Sequence, residues 1–237
     1  LWGGYSQYMF LHANSVVHRV DPTLPPEIAV MFNPLGAGFR WAVELPKTQP
    51  GESVVILGPG QRGLSSVIAC REVGAGTIIV TGLAADARKL ELARAFGADH
   101  TVDVQNERAV ERVKSLTNGG ADVVVDVSAY ATQPVRDALD MVRPGGRIVL
   151  AGVKGFKPVE DFISDLIVMK EVTIQGAIGV TSSGYRSAIR LIESRRVPLE
   201  KMHTHDFTLS DADLAIRTLA REVPGDESIH SCLIPPK

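Results

Sequence analysis

From residue 54 onward the chain alternates two patterns: short apolar runs, and longer segments in which apolar residues recur every three or four positions. The short runs, at 54–57, 78–81, 101–104, 123–127, 147–152 and 172–176, are strand-sized. Between them lie helix-length segments at 62–73, 86–96, 107–116, 132–142 and 159–169. Most of the short runs are continuous in Val and Ile, the pattern of strands covered on both faces by crossover helices. Six strands with helical connections predict an α/β fold built on an open, doubly wound parallel sheet. The punctuation agrees: Asp86 precedes a helix, Gly97 and Gly145-Gly146 follow helices where a left-handed cap is needed, and Pro144 stops one.

Both ends depart from this alternation. Residues 1–34 carry Pro22, Pro25, Pro26 and Pro34 and short alternating β-like runs. Residues 180–237 hold a helix at 185–194, a loop, a second helix at 210–221 and a final strand at 229–234. The expected organisation is a sheet domain at 35–178 threaded through a second, β-rich domain, of which 1–34 and 179–237 are parts. The chain opens on Leu1, and LWGGYSQYMFLH has no signal or transit pattern, so it reads as a sequence already in progress.

Composition narrows the class. The 237 residues are 45% hydrophobic and carry a net charge of −2 without a long basic run, which argues against a nucleic-acid or membrane-surface footprint. No apolar run approaches the roughly 20 residues of a spanning helix. Two cysteines, Cys70 and Cys232, are too few for a disulfide framework and lack paired zinc spacing. A soluble, cytoplasmic protein is expected.

The chemistry-bearing motif is VVILGPGQRG, in which Gly58, Gly60 and Gly63 follow the first strand and open the first helix as G-x-G-x-x-G. The first glycine permits the tight turn, the second lets backbone approach a pyrophosphate, and the third lets helix and strand pack. The anion then rests on the free amides of Gln61, Arg62 and Gly63 at the positive helix end. This is the Rossmann dinucleotide-binding arrangement. An acid normally closes the second strand to accept the ribose hydroxyls of NAD; here Thr81-Gly82 stands instead. With Arg88 and Lys89 following, a 2′-phosphate is tolerable and NADP is favoured over NAD. The two cations fit a solvated helix start equally well, and Asp86 can reach back toward the ribose. Arg62 can pair with a phosphate or point to solvent. His203 and His205, two apart, are expected on one strand face, but a metal site needs a third ligand and none is near in sequence. No metal ligand is assigned.

The chain resembles the medium-chain, zinc-type alcohol and polyol dehydrogenases nearly end to end. The segments that carry the resemblance are GGYSQYM, NPLGAGFRWAVE, PGESVVILGPGQRG, KLELARAFGADHTVD, GGADVVVDVSA, RPGGRIVLAGV and VTIQGAIG. It implies hydride transfer between a nicotinamide cofactor and an alcohol or carbonyl carbon. It places Ser128, Ala129, Ala151, Gly152 and Val153 beside the nicotinamide and its ribose, and makes the flanks remnants of a GroES-like catalytic domain. The family's catalytic and structural zinc ligands belong to an N-terminal region this chain does not contain, so zinc is implied only with that region and no residue here is assigned as catalytic. Asn33 stands where polyol dehydrogenases carry a glutamate and other relatives a cysteine, and His230 where the family often has an arginine near the pyrophosphate. A neutral amide is a poor zinc ligand; a zinc-independent quinone or enone reductase, or a non-catalytic nucleotide-binding module, are the alternatives. The resemblance also implies a homodimer or homotetramer joined through the edge strand at 172–179.

Overall fold

A computed structural model describes residues 4–225 and 227–235. The remaining positions, 1–3 of the first flank and 226, 236 and 237 of the last, lie outside the described residues. By its contacts the chain forms two compact units, 33–188 and 1–32 with 189–237.

The larger unit is a six-stranded sheet of β1 (Ser53–Leu57), β2 (Thr77–Gly82), β3 (His100–Asp103), β4 (Ala121–Asp126), β5 (Val142–Leu150) and β6 (Thr173–Gly176), in the order β3-β2-β1-β4-β5-β6. Every pairing is parallel. The connections are helical: α3 (Gln61–Glu72), α4 (Ala87–Ala95), α5 (Ala109–Leu116), α6 (Gln133–Met141) and α7 (Asp165–Lys170). Val54, Val55, Ile56, Val123, Val124 and Val125 are all fully buried, which explains why these strands read as unbroken apolar runs. On one face Val55, Leu57, Ile79, Val124 and Ile148 pack with Val113 of α5 and Leu139 of α6. Each such side chain contributes about 1.5–3 kcal/mol on burial.

Ahead of the sheet come α1 (Pro26–Ala29) and α2 (Phe32–Phe39), the latter continued by a π-helical turn, Arg40–Glu44. Close packing holds this segment. A Cβ on Gly38 would lie 2.4 Å from the Ser65 carbonyl oxygen on α3, so only glycine allows that approach. The Trp41 indole donates to the Gly179 carbonyl at 3.1 Å, and Thr181 donates to Glu44 at 2.8 Å. The smaller unit holds two strands, β7 (His203–Thr208) and β8 (His230–Ile234), paired in parallel, with α9 (Ala212–Leu219) between them in sequence. Helix α8 spans Ser182–Ser194.

Several expectations are corrected. No strand forms among residues 4–34; the alternating apolar residues there, including Tyr8 and Phe10, are exposed, and α1 and α2 occupy its end. The helix expected at 159–169 is only Asp165–Lys170, because Asp161 sits at φ 53° and breaks the turn that the apolar spacing suggested. Helix α6 ends at Met141, ahead of Pro144, and Gly145 (φ 69°) serves the irregular start of β5 rather than a helix cap. Segment 203–208, within the loop expected between the helices at 185–194 and 210–221, is strand β7. His203 and His205 do not share its face: the pairing shifts between them, so His203 lies opposite His230 while His205 lies opposite Ser231.

Candidate functional site

Strand order places β1 between β2 and β4, so the carboxyl ends of these strands and of β5 converge where the chain reverses direction across the sheet. Open α/β sheets bind ligands at such a switch point. The glycine loop leaves β1 here. Gly58 takes φ 107° and donates to the Thr81 carbonyl at 3.1 Å, tying the loop to the end of β2. A Cβ on Gly63 would lie 1.9 Å from the Gly58 carbonyl oxygen, so loop and helix close on each other only without a side chain. At Gly60 nothing lies within 4 Å of where a Cβ would be. Gly60 is also the N-cap of α3, with no side-chain cap, and the amides of Gln61, Arg62 and Gly63 follow it. A tight turn, open space above the second glycine and an uncapped positive helix end fit a pyrophosphate.

Thr81 is buried beside this loop, and Gly82 ends β2. The missing acid has a steric cause. A Cβ on Gly82 would lie 2.9 Å from Pro59 Cγ and 3.1 Å from Leu90 Cδ2. The proline inside the glycine motif therefore fills the space an aspartate would need. Asp86 is 6% exposed, accepts the Leu83 amide at 3.1 Å and pairs with Lys89 at 3.8 Å. Lys89 is buried, unlike a residue of a solvated helix start, whereas Arg88 is exposed. Arg62 lies with its guanidinium carbon 4.9 Å from the centre of the Trp41 ring, a cation–π contact that holds it beside the loop.

At the ends of β4 and β5 the backbone closes tightly. A Cβ on Gly152 would lie 1.9 Å from the Ser128 carbonyl oxygen, and one on Gly58 would lie 3.4 Å from the Ser128 Cα. The Ala151 and Gly152 amides both donate to the Asp126 carbonyl at 2.9 Å, and Tyr130 donates to the Val153 carbonyl at 3.0 Å. Gly58, Ser128, Ala151 and Gly152 thus meet, with Ala129 and the exposed Val153 next in sequence.

Sequence reasoning missed two charged residues beneath this corner. Asp126 is fully buried, and its Oδ1 accepts both the amide (3.0 Å) and the hydroxyl (2.6 Å) of Ser128. Lys154 Nζ stands 2.8 Å from Asp126 Oδ2, as an ion pair off the hydrogen-bonding direction, and donates to the Ser128 carbonyl at 2.6 Å. The signal was available: an acid closing the apolar run VVVD, two residues before a serine.

A family model for zinc-binding dehydrogenases matches residues 63–194. The chain belongs to the zinc-binding dehydrogenase family. Within this family it is 44% identical over 237 residues to a probable alcohol dehydrogenase from Mycobacterium tuberculosis, covering 99% of this chain and 65% of that protein. Among solved structures it is similar to zinc dependent alcohol dehydrogenase 2 from Streptococcus pneumonia, with a TM-score of 0.83, 25% identity, and 97% of this chain and 65% of that one covered. A zinc-binding dehydrogenase from Sinorhizobium meliloti bound to NADP matches with a TM-score of 0.80 at 26% identity, over 91% of this chain and 61% of that one. The chain thus spans less than two thirds of the length of these relatives, 61–65% of each.

Two positions singled out in the sequence have other partners in the structure. The Asn33 amide donates to the Tyr185 hydroxyl at 3.0 Å, a structural use of a side chain that does not fit zinc. Burial pushes the His230 imidazole down to about 4, with His203 adding to the effect and Asp206 opposing it. Its Nδ1 lies 3.0 Å from Nδ1 of His203 within the smaller unit. No helix among the described residues is long and apolar enough to cross a membrane.

Proposed function

We propose that this chain supplies the nucleotide-binding part of an NAD(P)-dependent dehydrogenase that moves hydride between a nicotinamide and an alcohol or carbonyl carbon. The observation that carries the proposal is the loop in which Gly63 excludes any side chain while Gly60 faces open space at an uncapped helix end. In this reading the amides of Gln61, Arg62 and Gly63 hold the pyrophosphate, and Thr81, Gly82 and Arg88 border the adenosine ribose. Ser128, Ala129, Ala151, Gly152 and Val153 border the nicotinamide, which when bound supplies the carbon that gives or accepts hydride. Asp126 and Lys154 fix the Ser128 hydroxyl and carbonyl from below, so that surface is set before any cofactor arrives.

The glycine at position 82, packed against Pro59, supports NADP over NAD, because no carboxylate is present to repel a 2′-phosphate. Residues 1–34 and 179–237 are assigned to the substrate domain, and zinc as a Lewis acid to ligands outside these 237 residues. Asn33 favours a second reading, a zinc-independent reductase of quinones or enones; metal content of the longer protein separates the two. The edge strand β6 and the 90%-exposed Ile178 support pairing of two copies through 172–179. The two free cysteines agree with a cytoplasmic setting.

The test is isothermal titration of the chain with NADP⁺ and NAD⁺. Heat with NADP⁺ at a lower concentration than NAD⁺ is expected, with turnover of an alcohol panel only in the longer protein. No heat with either nucleotide overturns the proposal.

A further inference from the structure

The irregularity in β7 has a chemical result. Opposite His230 stands His203; one residue is then inserted, and Asp206 pairs with Cys232. Because strand side chains alternate, the extra residue turns Asp206 onto the face shared by His203, His230 and Cys232 and turns His205 away, where it stacks on Phe207 at 5.8 Å. The Thr204 hydroxyl stabilises the bulge, donating to the His230 carbonyl at 2.9 Å and accepting the Ile229 amide at 3.1 Å.

On that face the two imidazoles meet through Nδ1 atoms 3.0 Å apart. The Cys232 sulfur lies 4.0 Å from the His230 ring nitrogens, and one donor atom from each of the three residues falls within 4.8 Å of the other two. His203 Nε2 contacts Asp206 Oδ1 at 3.1 Å. A carboxylate can only accept, so the ring nitrogen facing Asp206 is the donor: His203 carries a hydrogen on Nε2, which leaves Nδ1 to present a lone pair toward His230 and Cys232. Metal-bound histidines are held in this way, with the far nitrogen donating to a carboxylate. His230 is 4% exposed and Cys232 half-buried, so two of the donors are already partly desolvated.

We propose that His203 Nδ1, a ring nitrogen of His230 and the sulfur of Cys232 form a binding site for a zinc-type divalent cation, with Asp206 orienting His203 and a fourth position left for water or a small ligand. Two imidazoles and one thiolate suit a borderline-soft ion that accepts tetrahedral geometry, and exclude calcium and magnesium, which take oxygen donors. Small closures bring the donors to bonding distance, because zinc needs only about 2.0–2.1 Å to nitrogen and 2.3 Å to sulfur. Binding replaces the Cys232 thiol proton, which leaves to solvent, and involves no redox change.

The experiment uses the metal alone. The chain, stripped with chelator, is titrated with Co²⁺ and followed by absorbance. One equivalent is expected to give tetrahedral d–d bands and a thiolate-to-cobalt charge-transfer band, both erased by Zn²⁺. Cys232→Ser removes the charge-transfer band, and Asp206→Asn weakens binding about tenfold, with unchanged circular dichroism. Independently of any variant, Zn²⁺ is expected to slow alkylation of Cys232 in the unmodified chain at least about tenfold, read at the peptide level. No charge-transfer band, the same band in Cys232→Ser, or an alkylation rate indifferent to zinc overturns the site.

Discussion

The steric account of Gly82 makes a prediction that separates packing from cofactor choice. In Gly82→Asp the new Cβ begins 2.9 Å from Pro59 Cγ, 3.2 Å from Pro59 Cδ and 3.1 Å from Leu90 Cδ2. Carbon atoms pack best at about 3.5–4.0 Å, so the overlap with the proline ring is roughly 0.6 Å, and a pyrrolidine cannot rotate away. Overpacking of this kind costs about 1–3 kcal/mol, and at ~2–4 °C per kcal/mol for a chain of this size the midpoint should fall by about 2–12 °C. Pro59→Ala removes Cγ and Cδ, the atoms responsible. In the double variant most of the loss should return, giving a coupling of at least about 1 kcal/mol in thermal or urea unfolding. With the carboxylate accommodated, NADP⁺ affinity should drop at least about tenfold relative to NAD⁺ by calorimetry. Equal destabilisation by Gly82→Asp with and without Pro59 would refute the reasoning.

Other outcomes follow from the same contacts. Gly63→Ala drives a methyl into the Gly58 carbonyl oxygen at 1.9 Å and should abolish nucleotide heat while leaving circular dichroism largely intact. Lys154→Met strands the buried Asp126 carboxylate and should cost about 3–5 kcal/mol in urea unfolding, whereas Asp126→Asn with Lys154→Met should cost clearly less. At Asp122 burial works against the charge, but hydrogen bonds from Ser53 and Arg143 outweigh it and hold the carboxyl below its usual value. Its contribution is therefore present above the unfolded pKa of about 3.9 and lost as pH falls through the lower folded value. The stability gap between wild type and Asp122→Asn should thus be constant near neutrality and close below about pH 4 in denaturant titrations.

The sheet was legible because each strand carries its own record of burial: residues covered on both faces are apolar at every position, and the glycines at 58, 60 and 63 mark a turn whose geometry admits little else. Pattern failed where a local signal had a non-local meaning. Val159, Phe162, Ile163 and Leu166 have helical spacing, yet Asp161 adopts a positive φ and the helix begins only after Ser164. Tyr8 and Phe10 alternate like a strand, but a strand also needs a hydrogen-bonding neighbour, which spacing does not encode. Gly82 looked like a choice of cofactor alone; that Pro59 occupies the space is visible only once β1 and β2 lie side by side. Asp126 and Lys154 are 28 positions apart in the chain and meet at 2.8 Å because β4 and β5 are neighbours. His203 and His230 met for the same kind of reason, through a pairing of distant strands, and the inserted residue between His203 and His205 reversed the face that simple alternation assigns.

That inserted residue makes the chemistry of the smaller unit depend on alignment between strands rather than on which amino acids are present. If β7 relaxed into regular pairing after His203, His205 would lie opposite Cys232 and Asp206 would rotate to the far side, exchanging a carboxylate for an imidazole without any mutation. The hydroxyl of Thr204, bonded to the His230 carbonyl and the Ile229 amide, braces the first of these two arrangements. A change there to a side chain that cannot bridge the strands would rewrite the neighbourhood of Cys232 while every potential ligand stayed in place, a loss that position-by-position comparison with relatives would not reveal.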